Sequence, residues 1–390
     1  MGKHCRVWAR CGHSASMRRF GGSARRFRRD GVKAMGRVAK IGIAVVGALA
    51  LAFCIGSYIV DRQALDETYA RHTDDGPTML LRDADVAAEH PFADVSFELD
   101  GQTLRGHVYG ESNDRGLVVF RHGIFSQHQD YLALITALVD KGWKVFAYDA
   151  IGCGESDGDS VLGFSQSPID VHAAVQFARE SGMADGLPIV LFGHSWGGYG
   201  VAAALSYDDG VAGCVSMSGF DLPEGIILES TAAEMGALAY TQLPFLKLIE
   251  WQDFGQDAAR SAARAIDESG LPVLVIHGAG DGTVRLDGSS IMARRDSISN
   301  PKVRYIVKDE PGRDGHNTYF YTAESWEYFG ECAQELSALQ AEYDGAVPQA
   351  QLDAFFAGVD KKRANTADPV LIEQVDSFFA YCVGEDNAVS

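Results

Sequence analysis

Apolar residues change rhythm twice along this chain, and the changes divide it into segments. From Ile41 to Val60 they run together for twenty residues without a charge. As a helix this run would be about 30 Å long, matching the hydrocarbon thickness of a bilayer. It predicts a transmembrane helix over 41–60, preceded by an arm over 1–40 and followed by a polar connector over 61–92 that ends at His90-Pro91. From Val95 the rhythm becomes alternating: VSFEL, then Asp100-Gly101, then TLRGHVY, which reads as an antiparallel hairpin. Thereafter short unbroken apolar runs alternate with helix-like stretches, at Leu117–Phe120, Lys144–Tyr148, Ile189–Phe192, Cys214–Met217, Val273–Ile276 and Val303–Val307. Such alternation predicts an α/β domain over 93–390, with a mostly parallel eight-stranded sheet and helices on both faces.

The spacing breaks in two places. About fifty residues separate the runs ending at Met217 and starting at Val273, where one helix would suffice. Pro223–Phe254 within them is rich in Leu, Ile, Ala and aromatics, so residues about 221–258 read as a helical cap over the sheet's C-terminal edge. A second insertion, about 318–366, is helical and acidic, and Asp368 to Cys382 closes the domain as a helix.

Charge sharpens the division. Residues 1–40 carry a net +11 and the remainder −30, so the folded part is too acidic for a nucleic-acid binder. A basic flank before the apolar run and Asp61 after it predict a single-pass cell-membrane protein, with a cytoplasmic N-terminus and the domain outside. A cleaved signal peptide is the second reading, since no A-x-A site follows and the run is long for one. A lipoprotein signal at Leu51-Ala52-Phe53-Cys54 has Phe where a small residue belongs, and Met35 is a possible alternative start. The seven cysteines form no C-x-x-C, so neither a zinc site nor a disulfide framework is signalled, although Cys332 and Cys382 could pair outside the cell. Oligomeric state is not indicated.

One run leads directly into chemistry. Pro188–Phe192 ends at Gly193-His194-Ser195-Trp196-Gly197, and an apolar, small-residue helix follows at once. A strand turning immediately into a helix strains the residue at the turn and lifts its side chain clear of the sheet, which suits Ser195 as a nucleophile. Gly154-Glu155-Ser156-Asp157-Gly158 fits the same G-x-S-x-G pattern, but in a polar loop where Ser156 is expected to be flexible and solvated. A serine needs a base, and the base an orienting acid. His316, in the glycine-flanked loop after the last run, is the candidate base. Asp281, after Val273–Ile276, is the candidate acid, with Asp221 in reserve. Donors for an oxyanion are expected from the N–H groups of Trp196 and of Ile124, in the loop Arg121-His122-Gly123-Ile124-Phe125. His122 reads more readily as a structural hydrogen-bonder of that loop than as a catalytic group.

These pieces resemble the α/β-hydrolase superfamily from about Val95 to the C-terminus. They are His122-Gly123, Asp149 with Gly152-x-Gly154-x-Ser156, Gly193 to Gly198, His277-Gly278-x-x-Asp281 and Gly315-His316-Asn317. The chain looks most like bacterial membrane-anchored or secreted hydrolases of the serine aminopeptidase and esterase-like group. The resemblance implies Ser195 as nucleophile, Asp281 as acid and His316 as base, with no metal or organic cofactor. The expected activity is hydrolysis of a carboxylic ester through an acyl-enzyme. The substrate would be a small ester or acyl compound with a hydrophobic acyl or aryl group, suggested by the apolar cap and Trp196, and His122, Phe125, Tyr240, Phe245 and Trp251 are the candidate pocket residues. Two alternatives keep the same triad: acyl transfer, or peptidase action with Glu224, Glu229 or Glu234 receiving the substrate amine. A non-catalytic binding protein on the same fold is the alternative of another class. The insertion after His316 is longer than a minimal member needs, leaving open whether it shapes the substrate entrance or braces the fold.

Overall fold

The computed structural model describes residues 36–73, 76–258 and 260–385. Residues 1–35, most of the basic arm, lie outside them. The chain divides into a unit ending at Ala52 and a second beginning at Phe53. In the first, the helix Arg37–Thr68 begins, with Ile41, Val45, Leu49 and Leu51 exposed along it. Ala39–Thr68 is the one helix among the described residues long and apolar enough to cross a membrane.

The second unit is built on eight strands: β1 (Phe92–Leu99), β2 (Gln102–Tyr109), β3 (Leu117–Arg121), β4 (Lys144–Tyr148), β5 (Ile189–His194), β6 (Gly213–Met217), β7 (Val273–Gly278) and β8 (Val303–Lys308). They form one sheet in the order β1-β2-β4-β3-β5-β6-β7-β8. The β1–β2 and β2–β4 pairs are antiparallel and the rest parallel. The hairpin turn is Asp100-Gly101, with φ of 50° and 78°, the left-handed pair that a two-residue turn between twisted strands requires. Every residue of β3, β5, β6 and β7 is buried, which is why these strands read as unbroken apolar runs. Two apolar cores lie on the sheet's two faces. Helices Gln166–Glu180, Trp196–Ala203 and Ala262–Ser269 pack into one. Leu132–Asp140 and Pro369–Val383 pack into the other.

Between β6 and β7 stand the helices Pro223–Met235 and Leu243–Phe254. The segment after His316 forms helices Ala323–Glu342, Gln349–Gly358 and Lys361–Ala364. The last of these holds the connector: Lys361 pairs with Asp85 at 2.8 Å, and Asn365 donates to the Met79 carbonyl at 2.8 Å. Earlier in the connector, the Arg71 guanidinium donates to the carbonyls of Gly154, Ser156 and Gly158. The connector is therefore stitched to the domain from both sides. All five described cysteines are free thiols, Cys332 and Cys382 included.

Candidate active site

β5 ends at His194 and the helix Trp196–Ala203 begins two residues later, leaving Ser195 alone to make the turn with φ 56° and ψ −116°. The turn closes so tightly that a Cβ on Gly193 would lie 2.2 Å from the Gly197 carbonyl oxygen, and one on Gly197 would lie 2.0 Å from that of Arg121. Only glycine fits at these two places. The Ser195 N–H is tied to the Met217 carbonyl of β6 at 2.8 Å. Its hydroxyl makes no hydrogen bond among the described residues and lines a cavity of about 810 Å³.

Asp281 follows β7, and both its oxygens are used. Oδ1 accepts the N–H groups of Thr283 and Val284, each at 2.9 Å, and Oδ2 accepts from His316 Nδ1 at 2.8 Å. The His277 Nε2 lies 3.3 Å from the same oxygen while donating to the Val284 carbonyl at 2.8 Å. Burial opposes the charged carboxylate, but the neighbouring His277 ring, the His316 hydrogen bond and the Val284 N–H outweigh it and hold Asp281 well below the usual carboxylate range. The His316 loop reaches β7 so closely that a Cβ on Gly278 would lie 2.2 Å from the Asp314 carbonyl oxygen.

A relay unseen in the sequence joins the His316 loop to the loop after β3. The Gly123 N–H donates to Tyr131 Oη at 3.1 Å, and Tyr131 Oη meets His194 Nδ1 at 2.8 Å. His194 Nε2 in turn meets the His316 carbonyl at 3.1 Å. With Nε2 donating, Nδ1 is left to accept from the phenol. Burial, with His316 beside it, keeps the His194 ring neutral by holding its pKa well below the ordinary value. Ser218 Oγ is a second donor to the His316 carbonyl, at 3.0 Å. His194 is the variable position inside G-x-S-x-G, and Tyr131 carries no motif, so neither had a sequence signal.

The loop after β3 passes beside the serine: a Cβ on Gly123 would lie 3.5 Å from Ser195 Cβ, and Ile124 lines the cavity. His122 is completely buried and serves that loop. Its Nε2 accepts the Ala150 N–H at 2.9 Å, leaving Nδ1 to donate to the Gly123 carbonyl at 2.6 Å. Burial lowers its pKa to about 3, so it stays neutral. The Trp196 ring is also completely buried. It donates to the Phe164 carbonyl at 2.8 Å with the Arg121 guanidinium stacked 4.1 Å from its centroid, so it forms no part of the cavity wall. The expectation that this ring favours a hydrophobic substrate is thereby corrected.

Of the five expected pocket residues, Phe125 lines the cavity and His122, Tyr240, Phe245 and Trp251 do not; Tyr240 and Trp251 are largely exposed. The cap contributes Ile226, Ile227, Thr231, Glu234, Met235 and Leu246 instead. A whole wall comes from the N-terminal helix through Phe53, Gly56, Val60, Ala64 and Leu65. Nothing from the insertion after His316 lines the cavity, so that segment braces the connector. Asp221 is not with His316. Its Oδ1 accepts from Ser261 Oγ and the Ala263 N–H at the start of helix Ala262–Ser269. Ser156 corrects the expectation of a solvated loop: it is completely buried, donating to the Asp149 carbonyl at 2.7 Å and accepting the Arg105 N–H at 2.9 Å.

Residues 112–248 match the family model of the serine aminopeptidases, S33, a span that includes Ser195 and ends before Asp281 and His316. The uncharacterized protein YfhR of Salmonella typhi is 28% identical over 192 residues, covering 47% of this chain and 61% of that protein. The polyketide transferase grgF of Penicillium sp is 30% identical over 138 residues, covering 34% and 47%. The chain thus spans less than two thirds of the length of these curated relatives. Among solved structures, the esterase Pf2001 of Pyrococcus furiosus is 18% identical, covering 64% of this chain and 91% of that one at a TM-score of 0.48. Strand order and the family match together give this chain the α/β-hydrolase fold.

Proposed function

We propose that this protein is a membrane-anchored serine hydrolase that cleaves carboxylic esters through an acyl-enzyme. One observation carries the reading: a strained serine on the floor of an apolar cavity, next in sequence to the histidine that holds the backbone of an Asp281-paired imidazole. In the proposed route His316 takes the Ser195 proton as the hydroxyl attacks the ester carbonyl. The anionic Asp281 keeps Nδ1 protonated and stabilises the imidazolium that forms. The N–H groups of Ile124 and Trp196 receive the oxyanion, with the N-terminus of helix Trp196–Ala203 favouring its charge. His316 then protonates the leaving alcohol and activates water to release the acid.

The wall of Phe53, Val60, Leu65, Ile226 and Leu246 supports a hydrophobic acyl group. The charge-free run of the N-terminal helix supports a single membrane pass, with the basic arm cytoplasmic and the domain outside. A peptidase reading draws on one specific feature, the Glu234 carboxylate in the lining, which could receive a substrate amine. A fluorophosphonate probe on the full-length chain in detergent tests the site: labelling is expected for wild type and Ser156→Ala and lost in Ser195→Ala. Labelling lost only in Ser156→Ala would overturn the assignment. p-Nitrophenyl esters of graded chain length against aminoacyl anilides, with an alcohol acceptor added, separate esterase, peptidase and transferase.

A further inference from the structure

Away from the cavity, three elements bring one ligand-type side chain each to a common point. Asp83 begins the short helix Asp83–Val86 of the connector, His107 is on β2, and His128 lies in the turn after β3. His107 Nδ1 lies 3.2 Å from His128 Nε2 and 3.2 Å from Asp83 Oδ2, and the third edge, His128 Nε2 to Asp83 Oδ2, is 3.8 Å. Both rings are buried.

Each ring's other nitrogen has a carboxylate near it, hydrogen-bonded in the case of His128. His128 Nδ1 meets Asp149 Oδ1 at 2.8 Å, an oxygen that also accepts the His128 N–H. His107 Nε2 lies 3.3 Å from Asp94 Oδ1, and Phe92 stacks on the same ring with centroids 4.3 Å apart. The Tyr109 hydroxyl donates to the second oxygen of Asp83. Asp149 holds the outward proton of His128 on Nδ1, and the Tyr109 hydroxyl also lies 3.2 Å from His107 Nδ1. With the outward nitrogen of each ring protonated, two imidazole lone pairs and one carboxylate oxygen would face one another. A single proton can bridge one pair and leaves the third atom against a lone pair. A divalent cation meets all three. The triangle encloses a point about 2 Å from every corner, the bond length of zinc to imidazole nitrogen and carboxylate oxygen.

We propose that Asp83, His107 and His128 bind a structural Zn²⁺, with a fourth position for water. Carboxylates on the outer nitrogens are the usual support of zinc-bound histidines. The ligands are spread over connector, hairpin and turn, so cysteine spacing carried no sign of them, and the proposal departs from the expectation of a metal-free protein. None of the three lines the cavity. The ion would pin the connector to β2 and to the turn His128–Tyr131, in which Tyr131 stands three residues after the ligand.

The test is metal analysis and melting of the untagged full-length chain in detergent, dialysed against micromolar zinc and then metal-free buffer. Wild type should retain about one zinc per chain and lose roughly 5–10 °C of melting temperature to a chelator. His107→Asn and Asp83→Asn should hold less than a tenth as much and melt independently of chelator. Asp94 is mostly exposed, so Asp94→Asn leaves the fold intact and should weaken zinc binding roughly 10–100-fold. Absent zinc with chelator-insensitive melting of wild type, or zinc retained by both ligand variants, would overturn the proposal.

Discussion

Ser156 and Ser195 follow β4 and β5, the two strands that flank β3, and both sit in Gly-x-Ser-x-Gly. At 195 the helix starts immediately, the backbone is forced to positive φ, and the hydroxyl has no hydrogen-bond partner among the described residues and faces a cavity. At 156 the loop wraps Asp149 instead. The serine hydroxyl is consumed by one acceptor and one donor, and Arg71 clamps three of the loop's carbonyls. A motif sets the space around a side chain; what the next residues do decides whether that side chain reacts or holds the fold.

The contrast should appear as opposite phenotypes. Ser195→Ala is expected to lower ester turnover roughly 10⁴–10⁶-fold with little change in melting. Ser156→Ala should keep turnover within a few-fold and lose about 1–3 kcal/mol in denaturant unfolding, because two buried polar groups lose their partner. Equal loss of turnover in both would erase the distinction. Next in size is Asp281→Asn, expected to reduce kcat roughly 10³–10⁴-fold by permitting the wrong His316 tautomer. A change under tenfold would remove Asp281 from the proposed triad. Tyr131→Phe breaks the relay from Gly123 through His194 to the His316 carbonyl, and kcat should fall roughly tenfold with KM nearly constant. An unchanged kcat would make the phenol structural only.

The smallest effect concerns the cap. Burial lifts the Glu250 carboxyl to about 7, opposed by the Ser165 hydrogen bond and aided by nearby Glu224. A folded pKa above the unfolded one means the stabilisation is fully present below the unfolded carboxylate range and fades as pH rises through about 7. Unfolding should therefore become easier between pH 5 and pH 8 by about 1–3 kcal/mol, and Glu250→Gln should flatten that slope. An identical slope in the variant would assign the pH dependence elsewhere.

The strands were legible because each buried run is apolar and punctuated by glycine-rich turns, and β1 to β8 fall where the pattern put them. Asp281 and His316 were legible through their place after consecutive strands, and the structure brings them within a hydrogen bond. What escaped depends on contacts between distant segments. Asp83, His107 and His128 share no spacing, and Tyr131 gains meaning only through His194. The aromatic residues expected in the pocket, Tyr240 and Trp251, point to solvent because composition identifies an apolar helix but not which face it turns inward.

The N-terminal helix has a practical consequence. Trimming the chain at residue 60 to obtain a water-soluble protein would delete Phe53, Gly56, Ser57 and Val60, and with them one side of the chamber above Ser195. Chain-length preferences measured on such a fragment would describe a breached vessel. In the proposed function the membrane anchor and one wall of the cavity belong to the same helix, so the two are best purified together.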